Sequence, residues 1–193
     1  MFRSIATFCF ALCASCIMGQ ITATYTNANE HFLKGLSYYD QQLYGLAKSE
    51  FNLSAEISNS IYNEKSRLLA SKSEYLAAKS ALYGNFPEGE KRLMDYYYDK
   101  RPSPMAFEAV KDIGDLRYNQ KKYSQALEFY DLVNVEVLPE REKNEVLFRM
   151  GYSHFILKDF QSASRNLSPI LGKDTRYYFQ AYYYMAMIEF FTA

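Results

Sequence analysis

Between residues 147 and 170 the apolar side chains recur three and four positions apart. Leu147, Met150 and Phe155 share one helix face, and Phe160, Ala163, Leu167 and Ile170 share another, with the polar stretch "LKD" between them. The same alternation runs upstream. It predicts a first set of helices near 28–41, 65–83, 104–120 and 141–157, and a second set near 44–57, 87–99, 123–134 and 160–172. A ninth helix is expected from about 175. No strand pattern competes: "VNVEVL" at 133–138 alternates briefly, but a lone strand has no partner. The expected fold class is all-α.

The pattern is also a repeat. A small residue stands in each first helix at Gly35, Ala77, Gly114 and Gly151, and an aromatic follows at Tyr44, Phe86, Tyr123 and Phe160. A second small residue comes at Ala47, Gly89, Ala126 and Ala163, and a large apolar one at Phe51, Leu93, Tyr130 and Leu167. All these columns advance together, by 42, 37 and 37 residues. Two antiparallel helices approach closely only where side chains are small. The paired small columns therefore mark helix–helix contacts, and a leucine there would overpack at a cost of about 1–3 kcal/mol. The turn aromatic covers the bend beside them.

The segments "FLKGLSYYDQQLYGLAKSEF", "AVKDIGDLRYNQKKYSQALEFY" and "GYSHFILKDFQSASRNL" carry this pattern most fully. In these columns the chain resembles the tetratricopeptide repeat (TPR) family of helix–turn–helix units. Units fall near 28–61, 70–103, 107–140 and 144–177, with a partial fifth from about 178. The second is degenerate, with Gly89 where alanine is expected and Ser73 on its buried side, though Pro87 suits a first helical position. Pro169 falls inside a second helix and should shorten or kink it.

The resemblance implies a right-handed α-solenoid whose first helices line a concave groove. The groove-facing columns of that family fall here on Phe32, Leu36, Tyr39, Glu74, Ala78, Lys111, Asp115, Tyr118, Asn119, Phe148, Tyr152 and Phe155. Tyr39, Lys111, Asp115, Tyr118, Asn119, Phe148 and Tyr152 are the candidate partner-binding residues. They suit an extended peptide or a partner helix; several could equally fill space between neighbouring first helices. The lysine–asparagine pair with which some TPR domains clamp a terminal carboxylate is not matched, since Lys111 is followed by Asp115.

Composition narrows the class. The 193 residues are 49% hydrophobic, with 19 Tyr, 14 Phe and no Trp. Lys+Arg and Asp+Glu are both 22, so no net field favours nucleic acid or an anionic membrane. The start, "MFRSIATFCFALCASCIMGQ", has one arginine followed by an apolar stretch too short for a membrane span, the layout of a secretory signal over 1–19 with a short linker at 20–27. A retained anchor or a buried first helix would give the same pattern. Cys9, Cys13 and Cys16 all lie in this stretch, so the exported chain would hold together by packing alone. Cys16 could instead carry a lipid, the one route to membrane contact, although Cys13 stands where a bacterial lipobox usually has leucine.

No catalytic motif, phosphate loop or zinc spacing occurs, and His31 and His154 read as half-buried structural residues. Neither enzyme activity, a cofactor nor a metal is expected. The sequence points to an interaction scaffold of a bacterial envelope, periplasmic or outer-membrane associated, with a protein partner it does not name. A glycan-binding relative would call for tryptophan platforms that are missing. The last stretch, "RYYFQAYYYMAMIEFFTA", is aromatic around most of its circumference. It is read as the start of a fifth unit in a longer protein, whose catalytic or glycan-binding part would follow Ala193, or as a surface for another subunit, with self-association through 177–193 among the options. Otherwise it packs flat on the fourth unit.

Overall fold

The computed structural model describes residues 23–172 and 175–193. The expected signal segment and Cys16 lie outside them. Among the described residues all regular structure is helical, with no strand. Residues 23–40 form α1, followed by α2 (Tyr44–Asn59), α3 (Glu64–Tyr83), α4 (Gly89–Lys100), α5 (Pro104–Asn119) and α6 (Tyr123–Tyr130). Then come α7 (Glu140–Ile156), α8 (Phe160–Leu167) and α9 (Tyr178–Thr192).

Local chemistry fixes these boundaries. Asn63 accepts a hydrogen bond from the Ser66 N–H at 2.8 Å and starts α3, and Asp159 does the same for α8 through the Ser162 N–H at 3.1 Å. Pro104 opens α5, where its missing N–H costs nothing. Glu140 and Glu142 sit in the first turn of α7, where carboxylates complement the helix dipole. Two second helices are shorter than expected. The helix α6 stops at Tyr130, and "VEV" at Val135–Val137 coils into a 3-10 turn. The helix α8 gives way to a 3-10 turn at Ser168–Ile170 around Pro169, which cannot continue an α-helical ladder.

Four hairpin turns share one backbone device. Gln42, Asn85, Lys121 and Lys158 have φ of 60°, 57°, 61° and 63°, the left-handed conformation. The amide of each bonds three residues back, and the next amide bonds five residues back, as in Leu43 to Tyr38 and Lys122 to Arg117, both 2.9 Å. These are Schellman caps, which satisfy the free carbonyls at the end of each first helix. They also reveal the register. The turn aromatic stands two residues after the left-handed position at Tyr44, Tyr123 and Phe160, but Phe86 stands only one residue after Asn85. The second hairpin is therefore shifted by one residue relative to the sequence alignment.

The chain divides into two compact units, up to Gly89 and from Glu90 to Ala193. In the first, α2 lies along α3 through small buried side chains. Ala47, Phe51 and Ala77 form its core, with Phe32, Leu36 and Tyr39 packed against them. Ser54 and Ser73 share a buried hydrogen bond of 2.9 Å. In the second unit α5 to α9 pack in sequence. One core gathers Tyr97, Val110, Ala126, Tyr130 and Val146, and another gathers Leu147, Ala163, Leu167, Ile170, Ala181 and Ile188.

The small columns mark tight contacts, but the partner differs from the expected small-on-small pairing. A Cβ added at Gly35 would lie 2.6 Å from the Phe51 ring, at Gly114 2.7 Å from the Tyr130 ring, and at Gly151 2.6 Å from Leu167. Each glycine accommodates the large apolar residue sixteen positions on. The Ala163 carbonyl lies farther from the Gly151 position, at 3.3 Å. At Gly89 a Cβ would lie 2.5 Å from the Leu82 backbone, so the departure from alanine there reflects closer helix approach.

Candidate functional site

The sequence-expected partner residues Lys111, Asp115, Tyr118, Phe148 and Tyr152 come together on α5 and α7. Asp115 is buried at their centre. Its Oδ1 accepts a hydrogen bond from the Tyr130 hydroxyl at 2.7 Å and pairs with the Arg149 guanidinium at 2.5 Å, while the Lys111 ammonium donates to Oδ2 at 3.0 Å. Arg149 also reaches Glu145 at 2.5 Å, and Arg176 reaches the other oxygen of Glu145 at 3.0 Å. Burial alone would pull the Lys111 ammonium down, but Asp115 and then Asp112 more than offset it, so its pKa is raised. Burial and then Asp115 push the Tyr130 hydroxyl far above the usual phenol range, against the opposing pull of Arg149. With its oxygens already engaged by these three side chains, Asp115 acts as a packing residue that holds α5, α6 and α7 together.

On this base stands a connected set of rings. Tyr118, Tyr123 and Tyr152 meet edge-on, with centroids 5.6 to 5.9 Å apart. Tyr152 continues to Tyr184 at 5.1 Å, and Tyr184 to Phe155 at 5.0 Å. Phe148 is buried and stacks on Tyr177 at 4.6 Å, so it too fills the interior. Tilted and edge-on rings are the favoured arrangement of aromatic quadrupoles. The Arg149 guanidinium lies 5.3 Å from the Tyr118 ring centroid, a cation–π contact. Burial first, and then Tyr152, raises the Tyr118 pKa, and Tyr184 is raised for the same reasons. These hydroxyls stay protonated at neutral pH and can both donate and accept hydrogen bonds.

The turn aromatics explain how the cluster is built. Tyr44 packs on Tyr39, Tyr123 on Tyr118 and Phe160 on Phe155, each on the ring five residues earlier. Each then touches the next first helix, through Tyr83, Tyr152 and Phe191 respectively. Phe86 breaks the series, and the Lys48 ammonium lies 3.6 Å from its ring centroid.

Among the remaining expected residues, Tyr39 belongs to the core of the first unit, and Ala78 is buried there. Glu74 accepts a hydrogen bond from Asn59. Asn119 is exposed at the end of α5. Sequence reasoning did not single out Arg149, Tyr177 or Tyr184 for this site. Nothing in the sequence set Arg149 apart: no column of the repeat falls on it, and α5 and α7 both carry several other charged residues. The two histidines each pair with one carboxylate, His31 with Glu50 at 2.6 Å and His154 with Asp159 at 3.1 Å. Among the described residues no cluster of three or more His, Cys, Asp or Glu is placed to hold a metal, and no helix is long and apolar enough to cross a membrane. An open cleft of about 310 Å³ lies beside the rings, lined by Glu140, Arg141, Asn144, Thr175, Arg176 and Tyr177.

Compared with protein-family models, curated proteins and solved structures, the chain matches none.

Proposed function

We propose that the protein is a non-catalytic scaffold of TPR type, a right-handed α-solenoid that holds a partner protein along the surface of its first helices. The observation that carries this reading is the half-exposed tyrosine set Tyr118, Tyr123, Tyr152 and Tyr184, contributed by α5, α6, α7 and α9. Tyrosines suit such a surface, because each offers a large rigid contact area and a hydrogen-bonding hydroxyl at small entropic cost. The ion pairs around Asp115 beneath them neutralise the local charge. That favours an uncharged apolar or aromatic segment of the partner, bound as an extended peptide or a helix. The amino-terminal sequence pattern supports export to a bacterial envelope as the setting.

The test is an affinity capture from envelope extract with the full chain as bait and mass-spectrometric readout. A reproducible protein partner is expected, lost when Tyr118→Ala and Tyr152→Ala are combined and kept in Tyr62→Ala, a fully exposed tyrosine outside the set. No partner, or one that the double variant retains, would overturn the reading.

A further inference from the structure

The cleft of about 310 Å³ opens beside the first turns of α7, between Glu140, Arg141 and Asn144 on that helix and Thr175, Arg176 and Tyr177 just before α9. Its surface is mostly apolar, and one wall is held firmly. The Tyr177 ring stacks on Phe148 at 4.6 Å, the Arg176 guanidinium lies 4.7 Å from the Tyr177 ring centroid, and Glu145 anchors that guanidinium at 3.0 Å. A wall fixed before binding loses little freedom when a ligand arrives. Asn144 supplies the buried polar group. It is only 3% exposed, its Nδ2 donates to Glu140 Oε1 at 3.4 Å, and its Oδ1 has no hydrogen-bond partner. A buried acceptor in that state has given up its hydration without gaining a bond. One long bond holds the amide, so its oxygen can turn to a donor that enters the cleft.

We infer that this cleft takes the indole side chain of a tryptophan from the partner protein. The chemistry of the interior selects it. Asn144 Oδ1 needs a donor, and the Glu140 carboxylate beside it can only accept, so a group that also carries lone pairs meets acceptors. A lysine or arginine donates without accepting, but it would bring its charge out of water into an apolar cleft rimmed by Arg141 and Arg176. Among uncharged side chains the indole alone donates without accepting. The rim favours the same ring, because a guanidinium is drawn to the face of an indole more than to that of a phenol or a phenyl. Size agrees: the volume lies at the small end of ligand sites, enough for one bicyclic ring but not for a helix. The inference rests on the scaffold reading only for the source of the indole. The preference of the cleft for that ring holds without it.

The test is a fluorescence titration of N-acetyl-L-tryptophanamide with the full chain. The chain has no Trp, so light beyond the tyrosine absorption excites the probe alone. Its emission should shift to the blue and saturate with a dissociation constant on the order of 0.1–1 mM, the range for a ligand of this size. The N1-methyl analogue keeps the ring and lacks the donor, and should bind about tenfold more weakly. N-acetyl-L-phenylalaninamide and N-acetyl-L-tyrosinamide should compete as poorly. Asn144→Leu should erase the preference for the probe over its methyl analogue, with unchanged helical circular dichroism to show that the variant folds. No blue shift overturns the site. Equal binding of the methyl analogue to the parent, or a preference that persists in Asn144→Leu, overturns the bond to Asn144. Combining Tyr118→Ala with Tyr152→Ala separates this result from the scaffold reading, since that variant should lose the captured partner and keep the probe. Capture by the parent chain should fall when the probe saturates the cleft. Undiminished capture, or probe binding with no partner to capture, overturns a partner's tryptophan as the occupant.

Discussion

The two units solve the same packing problem with different side chains. In the first, α2 and α3 meet along small residues: Ala47, Ser54, Ala55, Ser58, Ser66, Ala70, Ser73, Ala77, Ser80 and Ala81 are all buried. Three of these serines bond within the seam, Ser80 to the Leu76 carbonyl of its own helix at 2.7 Å and Ser54 to the facing Ser73, whereas the buried Ser58 and Ser66 hydroxyls have no such partner. In the second unit, large rings and a charge network join α5 to α9. Small seams bring backbones together and spread the stabilisation over many weak contacts. Aromatic and ionic seams concentrate it in a few residues, so single substitutions there should cost more.

Substitutions in the two seams can break or sharpen this contrast. Asp115→Ala removes the shared partner of Lys111, Tyr130 and Arg149, leaving Arg149 with Glu145 alone and the buried Tyr130 hydroxyl without its acceptor; it should destabilise by about 3 kcal/mol in chemical denaturation. Gly151→Leu forces a side chain into the space Leu167 occupies and should cost about 2–3 kcal/mol, with Lys122→Leu on the surface nearly silent. In the serine seam, Ser73→Ala should cost only about 1 kcal/mol, because it leaves Ser54 without its partner. The double change Ser54→Ala with Ser73→Ala should recover most of that loss, since neither hydroxyl is then stranded. A double variant as unstable as the sum of the singles would show that the pair does more than satisfy itself.

The smallest effect lies in the turns. Lys158 holds a left-handed conformation that costs an L-residue about 1–2 kcal/mol, so Lys158→Gly should stabilise by roughly 0.5 kcal/mol after the entropy glycine adds to the unfolded chain. Asn85→Gly in the first unit should gain less, because asparagine tolerates that region better. A thermal melt of each variant compares them directly. If Lys158→Gly lowers the melting temperature, the lysine side chain contributes something the backbone geometry does not show.

Much of this architecture was legible in the chain. The helices and most of their ends follow from local periodicity and capping residues, and the glycine columns follow from the repeat. The displaced second turn was not legible, because "GNFPEGE" places its aromatic, proline and glycine close enough to fit two registers. The hydrogen bonds of the Schellman cap, from Phe86 to Ala81 at 2.9 Å, select one of them. At the candidate site the sequence supplied Tyr118 and Tyr152. It gave no reason to prefer them over Asp115 and Phe148, which share the same helix faces.

By itself, then, the sequence determined an all-helical repeat, the spacing of its hairpins and the positions where helices touch, because these depend on interactions between residues close along the chain. Only the tertiary structure decided that Leu167 rather than Ala163 fills the space at Gly151, and that Asp115 is enclosed by Arg149 from the next hairpin. Those outcomes depend on which distant side chains arrive at the same place, and periodicity along one helix carries no information about that.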